Sequence, residues 1–225
     1  MSKREKNKVS KKEKKQLSDT KRVVLFTIVI IVVVSLIGFL SILVLKDKDE
    51  NESTDTVKKN THEILGYGIT VDDLDSEYYK LEFEKLKTNL LSENINYDEY
   101  AESVAKLFLI DLYTIKTKIN KYDIGGLEEV IPEARDNYVN NITDTIYKYV
   151  EDNTNGKRTQ SLPVVSEVSV KNVKKSEYKI DSLNTKIPSY VFEFDISYSS
   201  DLGYDTKAEV TVVNRDNFMY VVEKN

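Results

Sequence analysis

The apolar and polar residues of this chain follow three patterns, one after another. The first is an uninterrupted apolar run over residues 23–45 that carries no charge, and the positions in it outside the large apolar types are Thr27, Ser35, Gly38 and Ser41. At about 1.5 Å per residue, a helix of this run would be about 35 Å long, which is enough for a hydrocarbon core of about 30 Å. The run therefore predicts a single transmembrane helix over 23–45.

The charges on either side of this run predict its orientation. Residues 1–22 contain ten Lys or Arg and three acidic residues, whereas 46–50 contain two lysines and three acidic residues. Because positive charge stays on the cytoplasmic side, we expect a cytoplasmic N-terminus and an extracytoplasmic remainder. A cleaved signal peptide would have a shorter apolar region and small residues at its end, but this run ends in bulky residues. We therefore expect a single-pass protein of the cell membrane with an uncleaved anchor.

The part after residue 45 divides into two predicted regions. Residues 46–74 form a polar tether, because the first half of this segment has too little apolar surface to order itself. Its later part, from Ile64 to Ile69, is apolar enough to dock on a neighbouring domain. The extracytoplasmic domain is predicted over 75–225, which is a sufficient length for one hydrophobic core. The full division is thus a basic cytoplasmic tail (1–22), a transmembrane helix (23–45), the tether (46–74) and this domain (75–225).

The second pattern is helical. Apolar residues recur every three or four positions over 76–94, 97–118 and 132–149, which predicts three helices. The apolar stripe of the second segment is the widest of the three. A stripe of that width indicates a helix that is buried on more than one side.

The third pattern is the alternation of apolar and polar residues, which is typical of strands. It occupies residues 168–173, 192–198, 208–212 and 218–222, with turn-forming residues between the later segments. Consecutive alternating strands favour an antiparallel sheet with one covered face. The predicted fold class is α+β: a single N-terminal transmembrane helix, followed by three helices packed on a four-stranded antiparallel sheet.

The composition limits the chemistry of the chain. It has no cysteine, so disulfides, thiol chemistry and thiolate metal sites are excluded. The one histidine, His62, lies in the predicted tether and lacks a rigid frame for catalysis. The acidic residues Asp72, Asp73 and Asp75 could hold a hard cation, but the start of a helix explains them more simply. We therefore expect no enzyme activity, no catalytic residue, no metal site and no cofactor.

The charge of the chain indicates which partners it has. Residue 45 is followed by 23 basic and 35 acidic residues, and such an acidic surface would repel nucleic acid. The basic tail either only sets the orientation or also contacts anionic lipid headgroups. The expected partners are thus membrane lipid, through the anchor and the basic tail, and other proteins of the cell envelope.

Four tyrosines are candidate contact residues. All fifteen tyrosines follow the apolar run, and tyrosine is common at protein interfaces. Adjacent or next-but-one tyrosines cannot both face the core within one helical stripe. We therefore expect one residue of the pair Tyr78 and Tyr79, and one of the pair Tyr147 and Tyr149, to contact a partner. Alternatively, Tyr113, Tyr122 or Tyr198 could point into a cavity beside an acidic residue, although core packing is the more usual role of such tyrosines.

The order of these parts resembles a known group of proteins. A basic tail, one anchor, a tether, helices and a four-stranded sheet are similar to the bitopic scaffold components of conjugation and type IV secretion systems. The nearest approach to a local signature is the segment 111–126, whose role the sequence does not reveal. The resemblance implies a cone-like outer domain of the nuclear-transport-factor-two-like fold, self-association, and assembly without catalysis.

Two functions are consistent with these features. The first is a membrane-anchored scaffold or interaction protein that presents its outer domain to an envelope assembly such as a conjugation or secretion channel. The alternative is a membrane-tethered module without catalysis that binds a small molecule, a lipid or a peptide.

Overall fold

The structure, a computed structural model, describes residues 61–180 and 185–225. Its elements belong to one compact unit, Asp55–Asn225, and the other unit of the chain, Met1–Thr54, lies outside the described residues. A small ribbon comes first, with strands β1 (His62–Glu63) and β2 (Thr70–Val71). Three helices follow: α1 (Glu77–Leu90), α2 (Tyr97–Tyr113) and α3 (Arg135–Asp144). The last part is an antiparallel sheet in the order β3 (Val165–Ile180), β4 (Thr185–Tyr198), β5 (Lys207–Arg215) and β6 (Phe218–Lys224).

Both long helices begin at side-chain caps. The Ser76 side chain accepts a hydrogen bond from the backbone N–H of Tyr79 at the start of α1 (3.1 Å). At the start of α2, the Asn96 side chain accepts bonds from the N–H groups of Asp98 and Glu99 (3.1 and 3.3 Å). These caps satisfy donors that have no partner inside the helix. The sequence position of each cap therefore fixes where its helix starts.

Helix α2 is the centre of the core. It contacts α1 and all four strands of the large sheet. Its buried side chains include Tyr100, Leu107, Phe108 and Leu112, on more than one side of the helix. The width predicted for its apolar stripe is thus confirmed. From the sheet, Phe192, Phe194 and Ile196 reach the same core.

Helix α3 is shorter than the predicted third helix. The predicted segment ran over 132–149, but the helix ends at Asp144, and Pro132–Ala134 form a 3₁₀ turn before it. Thr145 leaves the helical conformation, with φ −118° and ψ −93°. The backbone N–H of Tyr147 then bonds to the carbonyl oxygen of Ile142 (2.9 Å), which turns the Tyr147 ring into the core.

The predicted fold class was wrong in two respects. It had one sheet, whereas the structure has two, because β1 and β2 pair within the segment predicted as tether. Ile64 and Ile69 hydrogen-bond to each other across this ribbon (3.0 Å) and are buried. The glycines between them, Gly66 and Gly68, adopt left-handed φ values of 88° and 69°, which permits the tight turn.

The second error in the predicted fold class concerns the transmembrane helix. None of the helices in 61–180 and 185–225 is long and apolar enough to cross a bilayer. The predicted transmembrane segment 23–45 lies outside the described residues. The α+β class itself, with three helices and a four-stranded antiparallel sheet, is present.

Candidate interaction surface and buried polar groups

Tyr79, one of the predicted contact residues, is a core residue. Its hydroxyl group donates to the carbonyl oxygen of Thr70 at 3.1 Å and lies 3.5 Å from Oε1 of Glu129. Burial raises the pKa of Tyr79 well above its usual value, so the hydroxyl keeps its proton. Its contacts hold the β1–β2 ribbon against α1.

Tyr78 points to the large sheet instead. Its hydroxyl group accepts a hydrogen bond from the backbone N–H of Val168 (3.0 Å) and donates one to the carbonyl oxygen of the same residue (3.4 Å). Val168 lies on β3, an edge strand of the sheet. Tyr78 thus closes the open edge of β3 at this one position.

The other predicted pair, Tyr147 and Tyr149, is divided between the interior and the surface. Tyr147 is buried, and its hydroxyl donates to the carbonyl oxygen of Leu112 (2.9 Å) and accepts from the N–H of Gly125 (3.3 Å). Tyr149 is 78 % exposed, and Nζ of Lys148 lies 5.3 Å from the centre of its ring. Of the four predicted tyrosines, Tyr149 alone presents most of its side chain to solvent, so the four do not form one contact surface.

The segment 111–126, whose role the sequence left open, starts in the last turn of α2, and the rest of it folds back against this helix. The Asp111 carboxylate forms a close ion pair with Nζ of Lys118 and accepts a bond from the N–H of Gly126 (2.7 Å). Gly125 lies so close to α2 that an added Cβ would stand 2.1 Å from the carbonyl oxygen of Asp111. The Tyr138 hydroxyl on α3 donates to the carbonyl oxygen of Gly125 (2.7 Å). The segment therefore joins α2 to α3.

One carboxyl group near this segment lies in the interior, and two more are half-buried. Glu129 is only 1 % exposed, and burial, with the carboxylates of Asp111 and Glu128 adding to it, raises its pKa to about 8. Burial also raises the pKa of Asp75 to about 6. The Glu128 carboxylate accepts two bonds from Thr70, one from its N–H (2.6 Å) and one from its hydroxyl (2.8 Å). The Glu129 carboxyl group lies away from solvent, whereas those of Asp75 and Glu128 are half-buried and bond to neighbouring protein atoms.

The acidic residues before α1 form a turn. Asp75 accepts a bond from the N–H of Asp72 (2.7 Å), and Asp72 accepts one from the N–H of Leu74 (2.7 Å). His62 lies exposed on β1. Within the described part of the chain, no group of three or more histidines, cysteines or acidic residues could hold a metal ion.

A groove of about 380 Å³ lies between α3 and β6. Its floor is apolar and includes Phe108, Ile142 and Ile146, and the side chains of Asn137 and Asn141 add polar groups. β6 is the second edge strand of the sheet. Residues 129–131 run beside it and exchange two backbone hydrogen bonds with Val221 (3.0 and 2.8 Å), so this edge is partly covered.

The edge of β3 is different. The contacts from Tyr78 show that the backbone N–H and C=O of Val168 face away from β4. In an antiparallel pair the direction of the backbone groups alternates from one residue to the next. A bulge between Val170 and Asn172 adds one residue to β3 and shifts this alternation by one position. Val173, Lys175 and Glu177 therefore turn their backbone N–H and C=O groups away from β4. No described strand lies on that side of β3.

The β3–β4 hairpin also extends past the sheet. β5 pairs with β4 only over Ser189–Asp195, whereas the hairpin continues for four more residue pairs to Ile180 and Thr185. Pro188 stands opposite Glu177 in this extension. The backbone N–H of a residue at that position would point away from β3. Proline, which has no N–H, therefore removes no hydrogen bond between β3 and β4.

Lysines line this edge strand. Residues 171–180 contain four lysines, at 171, 174, 175 and 179, and one acidic residue, Glu177. Lys171 pairs with Asp195 (2.8 Å) and Lys175 pairs with Asp98 (2.7 Å), in both cases between exposed side chains. Residues 171–180 carry more basic than acidic side chains and are called the basic strip, although Lys171 and Lys175 are each paired with an acidic residue.

The sequence analysis did not identify the β3 edge as a candidate interaction surface, although one of its features, the high lysine content, is visible in the sequence. The alternation of β3 was recognised, and its lysine content can be counted from the sequence. What the sequence did not reveal is that β3 is an edge strand, because strand order depends on contacts between distant segments.

Comparison with known proteins adds no relative. No protein family, no curated protein and no solved structure matches this chain. The functional argument therefore depends on the residues and contacts described above.

Proposed function

We propose that this protein is a membrane-anchored interaction protein that presents its α+β domain to an envelope assembly, such as a conjugation or secretion channel. The apolar segment 23–45 holds it at the cell membrane, with residues 1–22 in the cytoplasm and the domain outside. The proposal is supported by the charge difference between residues 1–22 and 46–50, which favours this orientation.

The observation that carries the proposal is the open edge of β3. Val173, Lys175 and Glu177 direct backbone hydrogen-bonding groups away from the sheet, and β3 is exposed along this stretch. Proteins usually cover such edges, interrupt them or place charged side chains on them, because open edges pair readily with other strands. Addition of a strand to an open edge is a common way in which proteins recognise one another.

The buried polar groups also favour a surface function. The hydroxyls of Tyr79 and Tyr147 bond to backbone atoms in the interior, and the carboxyl group of Glu129 lies in the core. A substrate from solvent would have to open the domain to reach them. Their contacts serve the stability of the fold.

Crosslinking in cells tests the proposal. A photo-crosslinking amino acid replaces Ser176, beside the open edge of β3, in the full chain. The same amino acid at Leu202, in the exposed loop between β4 and β5, is the control. We expect adducts of defined mass with other envelope proteins from position 176 and far fewer from position 202. Absence of protein adducts from both 176 and the exposed position Tyr149 would contradict the proposal.

The groove between α3 and β6 favours a second candidate function, the binding of a small apolar ligand or a peptide. Its volume of about 380 Å³ lies within the usual range of ligand pockets. Asn137→Trp would fill the groove from its exposed side. The photo-crosslinking amino acid at Asn141, which lines the groove, should give adducts that Asn137→Trp abolishes if the groove is the binding site. Adducts from position 176 alone, unchanged by Asn137→Trp, would favour the β3 edge.

A further inference from the structure

We infer that the β3 edge between Val173 and Glu177 binds an extended, acidic segment of a partner protein, which adds to the sheet as a further strand. This inference rests on the proposed function and names the chemistry of the partner.

The backbone supplies the first part of the argument. The N–H and C=O groups of Val173, Lys175 and Glu177 point outward at every second residue, which is the spacing that an added strand requires. Tyr78 occupies the corresponding groups of Val168, so the added strand begins beyond that point. The open stretch is thus short and has a defined start.

The charges supply the second part. Lys174 pairs across the ladder with Val191, and Lys175 with Tyr190, so their side chains lie on opposite faces of the sheet. On one face Lys175 already pairs with Asp98 (2.7 Å), whereas on the other face Lys174 has no ion pair among the described residues and could attract a carboxylate of an added strand. Opposite charges on neighbouring strands are favourable, and an acidic segment would therefore match this edge.

The same charges disfavour two other occupants. Pairing of two β3 edges from two copies of the chain would set lysine rows beside each other, which is unfavourable. An anionic membrane is a flat surface, whereas these lysines point to two opposite faces of the sheet. A single acidic strand in the plane of the sheet can interact with both faces.

The test uses the full chain in cells, with the photo-crosslinking residue at Ser176 as before. Val173→Pro removes one outward N–H and leaves the β3–β4 ladder intact, because that N–H does not face β4. Val173→Ala, which keeps the N–H, is its control. Lys174→Glu reverses a charge beside the edge, and Lys157→Glu reverses an exposed charge in the turn after α3 as its control.

We expect Val173→Pro to lower the adduct yield roughly tenfold and Lys174→Glu to lower it roughly fivefold. Both control variants keep the yield of the parent chain, and mass spectrometry places the crosslink in a segment rich in Asp and Glu. Lys174→Glu also keeps the inference testable if Val173→Pro reduces the amount of folded protein.

Three outcomes would overturn the inference. Adducts that persist in both Val173→Pro and Lys174→Glu would leave the proposed function in place and remove the β3 edge as the site. Adducts with lipid or with a second copy of the chain would show that the occupant is wrong. Absence of any protein adduct, from Ser176 or from Tyr149, would overturn the proposed function as well.

Discussion

The carboxyl group of Glu129 lies in the core of the domain. Because ionisation there is unfavourable, the protonation of this one residue affects the free energy of unfolding. Its pKa is raised to about 8 by burial, against a usual value of 4.5. Between these two values the folded state holds a proton that the unfolded state has lost. The free energy of unfolding therefore falls as the pH rises from about 4.5 to about 8, and the pH dependence from this group ends above that range.

Glu129→Gln is expected to remove this dependence. The amide has the same shape as the protonated acid and does not ionise, so the variant should be more stable than the parent at pH 8, by on the order of 3 kcal/mol. Chemical denaturation at pH 5 and pH 8 measures the difference. Glu93→Gln, at an exposed position, is the control and should change little. Parallel pH profiles for the parent and Glu129→Gln would contradict the assignment.

Gly125 tests the close packing of the 111–126 segment on α2. In Gly125→Ala the new Cβ would meet the carbonyl oxygen of Asp111 at 2.1 Å, and the backbone would have to shift. We expect a loss of about 3 kcal/mol in the free energy of unfolding. Gly203→Ala is the control, since nothing lies within 4 Å of its Cβ position and its φ of 77° adds strain of only about 1 kcal/mol. Equal losses in the two variants would show that the contact is unimportant.

Among the elements, those with strong local signals were predicted well. Helices α1 and α2 lie within the segments predicted for them, and the wide apolar stripe of α2 correctly indicated burial on more than one side. The alternating segments correspond to the four strands of the large sheet. These features follow from periods that are visible within one segment.

Features that depend on distant contacts could not be predicted. The end of α3 at Asp144 depends on the core position of Tyr147, and burial of Glu129 depends on the packing of β6 beside residues 129–131. The role of Tyr78 also requires knowledge that β3 is an edge strand. The sequence limited each tyrosine pair to one core residue, but only the contacts decide that Tyr149 is the exposed one.

Tyr78→Phe tests the closure of the β3 edge. Loss of the hydroxyl removes both bonds to Val168 and should lower the free energy of unfolding by about 1 kcal/mol. Hydrogen exchange at the Val168 amide should become faster, because its acceptor is gone. Tyr122→Phe, on an exposed ring, is the control. An unchanged exchange rate at Val168 would show that Tyr78 does not protect this edge.

For the whole molecule, charge and apolarity are distributed unequally along the chain. A basic segment and an apolar run precede an acidic domain whose basic strip lies on one edge strand. This distribution fits a protein that is fixed at a membrane and meets its partners through the domain. The proposed function places this domain on the outer side of the membrane.

Cysteine labelling in intact cells tests this location most directly. The chain has no cysteine, so Leu91→Cys, at a position 72 % exposed, and Ser10→Cys, in the basic tail, each introduce a unique thiol. With a maleimide that cannot cross membranes, we expect Leu91→Cys to be labelled in intact cells and Ser10→Cys only after permeabilisation. Labelling of Leu91→Cys only after permeabilisation would place the domain in the cytoplasm and contradict the proposed function.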